Sequence, residues 1–263
     1  MCRVRGAAGR QDDGERAVKP ALVVVERLVE GREFLAAVAA GAAQMGARVV
    51  LLERAKMGGD CLNYGCVPSK SLLAAGHAAQ VIRTANRFGV GATDPVIDHG
   101  AVRDHVQGVI AGIAPHDSQE RFEGFGVRVI REAGRFTGPR TVVAGDAEIT
   151  AKRIVIATGS SPAVPPIPGL DAIPYFTNET IFDNAEPIPH LLVIGGGPIG
   201  LEMAQAHARL GAKVTVLEGL KALGNDDPEL AAIVMQRLAE ENIGIHEGAM
   251  VKGFSGSAGE ITV

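Results

Sequence analysis

A glycine-rich segment between an apolar run and a helical pattern constrains the fold of this chain more than any other feature. Residues 195–200 are Gly-Gly-Gly-Pro-Ile-Gly, which fits the spacing G-x-G-x-x-G. The apolar run His190–Ile194 predicts a strand before it, and Ile199–Leu210 predicts a helix after it. Lys213–Glu218 predicts a second, parallel strand that ends in an acid. This order is that of a βαβ unit, so the chain is expected to be an α/β protein.

The same segment predicts a dinucleotide site. Gly195 permits the tight turn, Gly197 lets backbone amides approach a pyrophosphate, and Gly200 lets the helix pack close to the strand. The N-terminus of the helix adds partial positive charge for the phosphates. The carboxylate of Glu218 can accept hydrogen bonds from ribose hydroxyls and would repel a 2′-phosphate, which favours NAD over NADP. The alternative is an ordinary turn between a strand and a helix.

Two cysteines define a second candidate site. Residues 58–70 are Gly-Gly-Asp-Cys-Leu-Asn-Tyr-Gly-Cys-Val-Pro-Ser-Lys, and the third cysteine, Cys2, lies far away in sequence. Thiols five residues apart at a helix start, as in Cys61 and Cys66, can meet on one face, where the helix N-terminus favours the thiolate. Lys70 adds a cation one turn beyond Cys66. The pattern predicts a redox-active pair; the alternatives are zinc ligands, two buried thiols or a structural disulfide.

Residues 58–70 resemble the active-site signature of class I pyridine nucleotide-disulfide oxidoreductases, and most resemble its mercuric reductase and dihydrolipoamide dehydrogenase branch. Ala157-Thr158-Gly159-Ser160 resembles the flavin-contacting turn of that family, and the resemblance runs from about Ala39 to Val263. It implies an α/β fold of two Rossmann-like, three-layer domains, both incomplete here. The expected division is a disordered tail over 1–20, an FAD-binding domain over 21–165 and an NAD(P)-binding domain over 166–263.

The resemblance also implies an activity. Electrons would pass from NAD(P)H through FAD to the cysteine pair, and on to a small-molecule disulfide or a metal ion. Cys66 would be the thiol next to the flavin and Cys61 the thiol that exchanges with substrate. Lys70 would lie near the flavin and form a buried pair with Glu202, which could otherwise be a plain surface acid. No metal cofactor is expected. A non-catalytic remnant that only binds nucleotide is the alternative function.

The resemblance assigns a set of cofactor-binding residues. Glu53 ends the predicted strand Ala47–Glu53 and would hold the FAD ribose. Gly134 would contact the adenosine part of FAD through its backbone, or else be an ordinary turn glycine. The complete set is Glu53, Gly58, Gly59, Asp60, Gly134, Ala157, Thr158, Gly159, Ser160, Gly195, Gly197, Gly200, Glu218 and Val251.

The chain departs from the family at both ends. Counting back from Glu53 with the spacing of the second loop places the glycines of a first loop at positions that hold Glu30, Arg32 and Leu35. We therefore hypothesise that residues 1–35 come from a shifted reading frame, a wrong gene start or a decayed gene. The nicotinamide domain is expected to be cut short. The dimerisation domain of the family, with its His–Glu pair, is expected to be absent, so the family's homodimer is not expected here. His246 is interpreted as a surface residue.

Composition excludes several partners. The net charge is −4, and no apolar run reaches the roughly 18 residues of a membrane span, so neither nucleic acid nor a membrane is expected as a partner. The first 20 residues lack the apolar core of a secretory signal, which favours the cytoplasm.

Apolar periodicity predicts the remaining elements. Strands are expected at 21–25, 127–130, 141–144 and 149–157, with a strand pair from about 243. Helices are expected at 36–45, 69–85, 99–122 and 227–242.

Overall fold

The computed structural model describes residues 4–5, 21–26, 32–257 and 260–263. Two compact units divide the chain: Met1–Cys66 with Ile110–Ser161, and Val67–Val109 with Pro162–Val263. The chain passes between the two units at 66–67, 109–110 and 161–162, whereas the expected domain boundary is at 165–166. Residues 67–109, which the prediction gave to the first domain, belong to the second unit by their contacts.

A parallel sheet forms the centre of the first unit. Its strands are β2 (Ala21–Glu26), β3 (Arg48–Leu52), β4 (Val127–Ile130) and β8 (Arg153–Ala157), in the order β4-β3-β2-β8. Helix α1 (Arg32–Gln44) connects β2 to β3, which makes a βαβ unit. The strands predicted at 21–25, 47–53 and 127–130 and the helix predicted at 36–45 are confirmed here, although α1 begins before Ala36.

An antiparallel sheet forms a further layer of the first unit. It contains β1 (Val4–Arg5), β7 (Ala147–Thr150), β6 (Thr141–Ala144) and β5 (Arg135–Gly138), in the order β1-β7-β6-β5. Of the predicted disordered tail, only β1 lies within the described residues, and it pairs with β7.

Strand β3 is buried on both faces, as a continuous apolar run predicts. Val49 and Leu51 pack with Ala39 of α1, whereas Val50 and Leu52 pack with residues of the antiparallel sheet such as Val142. Alternate side chains of one strand therefore fill two cores, one on each side of the parallel sheet.

The second unit contains a smaller parallel sheet. Strands β9 (His190–Ile194), β10 (Lys213–Leu217) and β11 (Gly244–His246) follow the order β11-β10-β9. Helices α6 (Pro198–Arg209) and α7 (Pro228–Glu240) belong to the same unit, as does the hairpin of β12 (Ser255–Ser257) and β13 (Glu260–Thr262). The strand pair predicted near 243 is wrong, because β11 pairs with β10 and the hairpin begins only at Ser255.

Helices of the cysteine region precede that sheet in the chain. Helix α2 (Gly59–Asn63) and helix α3 (Cys66–Arg83) flank a short turn, and helix α4 (His99–Ile113) follows. Among the described helices, none is both long and apolar enough to cross a membrane.

The predicted helix over 99–122 is wrong. The structure ends α4 at Ile113, places a 3-10 turn at Ala114–Asp117 and starts α5 (Gln119–Gly124) afterwards. Pro115 cannot donate a backbone hydrogen bond, so a regular helix does not continue through it. Ser118 starts the new helix, because its hydroxyl accepts the N–H of Arg121 at 3.2 Å.

The predicted strand over 149–157 is also wrong. Residues 147–150 form β7 in the antiparallel sheet, and residues 153–157 form β8 in the parallel sheet. Between them, the N–H of Ala151 donates to the carbonyl of Arg140 at 2.9 Å. Strand β5 was not predicted.

Candidate functional site

The glycine loop of the second unit has the geometry that its sequence predicts. Gly195 has φ +110°, a conformation that side chains rarely allow. A Cβ on Gly200 would lie 2.2 Å from the carbonyl oxygen of Gly195, so only glycine lets α6 approach this closely. A Cβ on Gly197 would meet nothing within 4 Å, which leaves open space above the loop for a ligand.

Glu218 follows β10 and contacts the glycine loop. Its Oε2 accepts the N–H of Gly196 at 2.7 Å, and its Oε1 accepts the N–H of Leu220 at 2.8 Å. These two backbone hydrogen bonds, the one from Gly196 more strongly, lower the pKa of Glu218, against a smaller effect of desolvation that raises it. The acid is therefore ionised at neutral pH, beside the loop that the sequence assigns to a dinucleotide.

Val251, assigned to the same cofactor site, is half-buried after β11. Two residues earlier, the N–H of Ala249 donates to the carbonyl of Glu218 at 2.9 Å. The chain leading to Val251 is thus hydrogen-bonded to the acid at the end of β10.

The cysteine segment, residues 58–66, consists of two tight turns that lie against each other, and we call it the cysteine double turn. Gly58 and Gly59 have φ of +85° and +58° immediately before Cys61. A Cβ on Gly65 would lie 3.2 Å from the Cα of Cys61, so the glycine that precedes Cys66 packs directly on the backbone of the first cysteine. The absence of a side chain at 65 brings the two cysteine-bearing turns together.

Hydrogen bonds fix this double turn from within. The side-chain amide of Asn63 donates to the carbonyls of Met57 and Gly59, at 3.1 and 2.8 Å. The N–H of Tyr64 donates to the carbonyl of Asp60 at 2.7 Å. Sequence analysis assigned Asp60 to a cofactor but gave no role to Asn63, although its place between the two cysteines was a usable signal.

The two thiols of the pair differ in exposure. Cys61 is half-buried within α2, whereas Cys66 is exposed as the first residue of α3. The partial positive charge of an 18-residue helix therefore lies at Cys66, where it favours the thiolate. Among the described residues, no three His, Cys, Asp or Glu are grouped as a metal site would need.

Lys70 and Glu202 form the pair that the family resemblance implies. The Nζ of Lys70 donates to both carboxylate oxygens of Glu202, at 2.7 and 2.6 Å. The expectation of a buried pair is wrong, because 59% of the Lys70 side chain and 37% of the Glu202 side chain are exposed. At that exposure the pair positions two side chains and adds little to stability.

Helix α3 packs on α6 at further points beyond this pair. A Cβ on Gly76 would lie 3.2 Å from the carbonyl oxygen of Ala206, so the two helices touch closely there. The guanidinium of Arg83 donates to the carbonyl of Arg209, the last residue of α6, at 2.5 Å. The helix that begins at Cys66 is thus held against the helix that begins at the glycine loop.

Glu53 lies at the end of β3 in the first unit and is only 1% exposed. Its Oε1 accepts the N–H of Ala55 at 2.6 Å. Arg131, which sequence analysis did not single out, donates to the carbonyls of Glu53 and Ala55. The guanidinium anchors the backbone around the acid, but a single arginine after a strand gave no signal in the sequence.

The remaining predicted flavin contacts lie next to strands of the first unit. The segment Ala157–Ser160 starts at the last residue of β8, and Gly159 has φ +64° in the turn that follows. Gly134 immediately precedes β5. Their contacts to a flavin stay a prediction.

The positions obtained by counting back from Glu53 do not form a glycine turn. Arg32 and Leu35 lie inside α1, and Glu30 lies outside the described residues. Five residues separate β2 from α1, whereas only three separate β9 from α6. In the first unit Val25 pairs with Leu52, and in the second unit Ile194 pairs with Leu217. Glu26, which follows Val25, is therefore the equivalent of Gly195, which follows Ile194. At Glu26 the first βαβ unit therefore departs from the glycine pattern of the second.

Two βαβ units, one with a glycine loop and the other preceding a cysteine pair, are the arrangement expected of a nucleotide-dependent thiol oxidoreductase. A model of the family described as pyridine nucleotide-disulphide oxidoreductase matches residues 36–263. The chain belongs to this family of oxidoreductases, whose cofactors are FAD and NAD(P)H.

Similar proteins agree with that family. Mercuric reductase of Streptomyces lividans is 37% identical over 219 residues, which are 81% of this chain and 46% of that protein. Mercuric reductase of Shigella flexneri is 38% identical and covers 80% of this chain, and that of Serratia marcescens is 35% identical and covers 93%. The chain spans 39% and 54% of these two relatives.

Solved structures show the same fold. The Cu(II) complex of the HOCl-induced flavoprotein disulfide reductase RclA from Escherichia coli is 25% identical, with a TM-score of 0.76. The match covers 91% of this chain and 51% of that chain. The match to enzymes favours an oxidoreductase over a remnant that only binds nucleotide.

Proposed function

We propose that this protein takes electrons from NADH and passes them through the Cys61–Cys66 pair to a disulfide or a metal ion. The observation that carries the proposal is the cysteine double turn, where Gly65 packs on the backbone of Cys61. The relatives support both acceptor classes, since some are named mercuric reductases and others a disulfide reductase. When bound, FAD relays an electron pair from the nicotinamide to the cysteine disulfide.

The nicotinamide nucleotide is held by the glycine loop of the second unit. The backbone around Gly197 leaves room for the pyrophosphate, and the N-terminus of α6 supplies partial positive charge. The ionised carboxylate of Glu218 accepts ribose hydroxyls and repels a 2′-phosphate, which is the reason to expect NADH rather than NADPH. Val251 completes this proposed set.

The proposed FAD-binding set lies on the first unit. Glu53 binds the ribose, and the backbones of Gly134 and Gly159 lie close to the ligand. The other members are Gly58, Gly59, Asp60, Ala157, Thr158 and Ser160. Because positions 30, 32 and 35 hold Glu, Arg and Leu rather than glycine, we expect FAD to be bound with fewer phosphate contacts than NADH.

The thiols perform a two-step exchange on a disulfide substrate. The Cys61 thiolate attacks one substrate sulfur, forms a mixed disulfide and releases the other half as a thiolate. The Cys66 thiolate then attacks the sulfur of Cys61 and releases the second half, which leaves a Cys61–Cys66 disulfide. Two electrons have reached the substrate, and two must return to the pair before the next cycle. A soft metal ion suits the same two thiolates as ligands.

Lys70 and Glu202 form an ion pair without net charge, and this pair positions α3, the helix that begins at Cys66. Lys70 lies one turn after Cys66 in α3, and its two hydrogen bonds to Glu202 hold its side chain toward α6. We expect this pair to fix the orientation of α3 rather than to move electrons.

Anaerobic assays on the purified chain with added FAD test the proposal. NADH oxidation would be followed with a dithiol-type disulfide and with Hg(II) as separate acceptors. Cys61→Ser and Cys66→Ser should each abolish acceptor-dependent turnover, whereas the matched control Cys2→Ser, which lies outside the described residues, should keep it. Wild-type rates in both active-pair variants would contradict the proposal, and a colourless chain that still binds NADH would contradict its flavin step.

A further inference from the structure

A small cavity of about 20 Å³ lies inside the second unit, away from the cysteines and from the glycine loop. Its walls come from α3, α4, α6 and the short helical turn Ile181–Asp183, through residues such as Leu72, Val106 and Phe182. A cavity needs roughly 10–15 Å³ to admit one water molecule, so there is room for one and not for a larger ligand.

Two buried polar atoms of this wall have no hydrogen-bond partner among the described residues. They are Nε2 of His207, whose residue is 8% exposed, and Nε of Arg103. The Arg103 Nε lies 2.8 Å from Oδ1 of Asp104, but this ion-pair contact is not aligned as a hydrogen bond. Buried polar atoms are almost always hydrogen-bonded, so two unsatisfied ones among the residues that line one cavity point to a third group between them.

The chemistry of the two atoms specifies that group. Arginine Nε–H can only donate. Burial first, and the neighbouring His99 second, lower the pKa of His207 to about 4, so its ring is neutral at pH 7 and Nε2 can accept a hydrogen bond. With the ring proton on Nδ1, Nε2 accepts, and a group that satisfies both atoms then accepts from Arg103 and donates to His207. A water molecule does both, a simple anion only accepts, and a metal cation does neither.

We propose that this cavity is a built hydration site, in which one water accepts the Nε–H of Arg103 and donates to Nε2 of His207. The water joins α4 to α6, the helix that also carries Glu202. The titratable or charged groups that line the site are His99, Arg103 and His207 itself, and Asp104 contacts Arg103 beside it; α3 and the turn Ile181–Asp183 contribute none to its wall.

The site works only while His207 is neutral. Protonation would convert Nε2 from an acceptor into a donor and would place a positive charge beside Arg103. The water would then have to turn and accept from both side chains, between two positive charges, which weakens the bridge between α4 and α6. His207 is thus a positioning residue for α6, and its effect should be confined to acidic pH.

Water relaxation dispersion and nitrogen NMR on the full chain test the site. His207→Phe removes the acceptor and fills the cavity, so it should lose one long-lived internal water relative to wild type. Arg103→Met should lose the same water, and it keeps the proposal testable if the first variant does not fold. The His207 ring should stay neutral, with Nε2 unprotonated, at pH 6.

Several results would overturn the proposal. These are an equal number of internal waters in wild type and in both variants, a proton on Nε2 of His207 at pH 7, or a crystal structure with Arg103 bonded directly to His207. A bromide ion found in the cavity by anomalous scattering would show an anion site instead, and would equally count against the water.

Discussion

Two alanine substitutions in one loop should separate the structural from the ligand-binding role of its glycines. In Gly200→Ala, the new Cβ would lie 2.2 Å from the carbonyl oxygen of Gly195, about 1 Å inside an ordinary contact. Gly195 cannot easily move away, because its φ of +110° is a glycine conformation. Overpacking of this kind costs about 1–3 kcal/mol, so the free energy of unfolding should fall by that amount.

Gly197→Ala should behave in the opposite way. Its backbone, with φ −76° and ψ 174°, suits alanine, and the added Cβ would meet nothing within 4 Å. Stability should therefore change by less than about 0.5 kcal/mol. The methyl group would occupy the space assigned to the pyrophosphate, so NADH affinity should fall about tenfold or more, equivalent to about 1.4 kcal/mol.

Urea denaturation followed by circular dichroism and calorimetric NADH titration measure the two effects. Gly108→Ala is the matched control, because Gly108 lies inside α4 with open space around it and should gain about 0.5–1 kcal/mol of stability. Unchanged NADH affinity in a stable Gly197→Ala variant would refute the assignment of the loop. A Gly200→Ala variant as stable as wild type would refute the close helix–strand contact.

Three further predictions concern charged groups of the second unit. Glu241→Ala leaves the Arg209 guanidinium, 15% exposed, without its two carboxylate bonds of 2.8 and 2.7 Å, and should lower the unfolding free energy by about 3 kcal/mol in urea titrations. Lys70→Ala should cost less than about 1 kcal/mol in the same assay, because its pair with Glu202 is exposed; a larger loss would mean that the pair is buried in solution. The pKa of His207 is lowered to about 4, so its neutral form stabilises the fold fully above pH 6.5, and about 3 kcal/mol should be lost as pH falls from 6.5 to 4. His207→Gln should flatten that part of the stability profile, and an equally steep profile would contradict the assignment.

Sequence patterns predicted the elements whose formation depends on residues close to one another in the chain. The apolar run that became β3 and the strand–glycine–helix order of β9 and α6 were confirmed within a residue or two. The wrong predictions concern segments in which one element ends and another begins. The segment 149–157 has the composition of one strand, but its two halves pair in different sheets, and pairing partners are not encoded within the segment.

In the candidate site, too, contacts between residues far apart in the sequence were the hardest to predict. The Lys70–Glu202 contact was expected from family resemblance, and the structure forms it, but its exposure depends on packing that the two residues do not specify. Arg131 anchors the turn after Glu53 from 78 residues away. Such long-range contacts could not be derived from spacing alone, whereas the role of Asn63, inside the cysteine turn, could have been.

The redox state of a single peptide tests the central claim most directly. Trypsin releases residues 57–70 as one fragment that contains both Cys61 and Cys66, so a disulfide between them removes two hydrogen atoms from its mass. After oxidation of the chain with added FAD, this fragment should carry the disulfide, and NADH without other reductants should restore both thiols. A fragment that stays oxidised in NADH, or a disulfide that joins either residue to Cys2 instead, would contradict the proposed electron path.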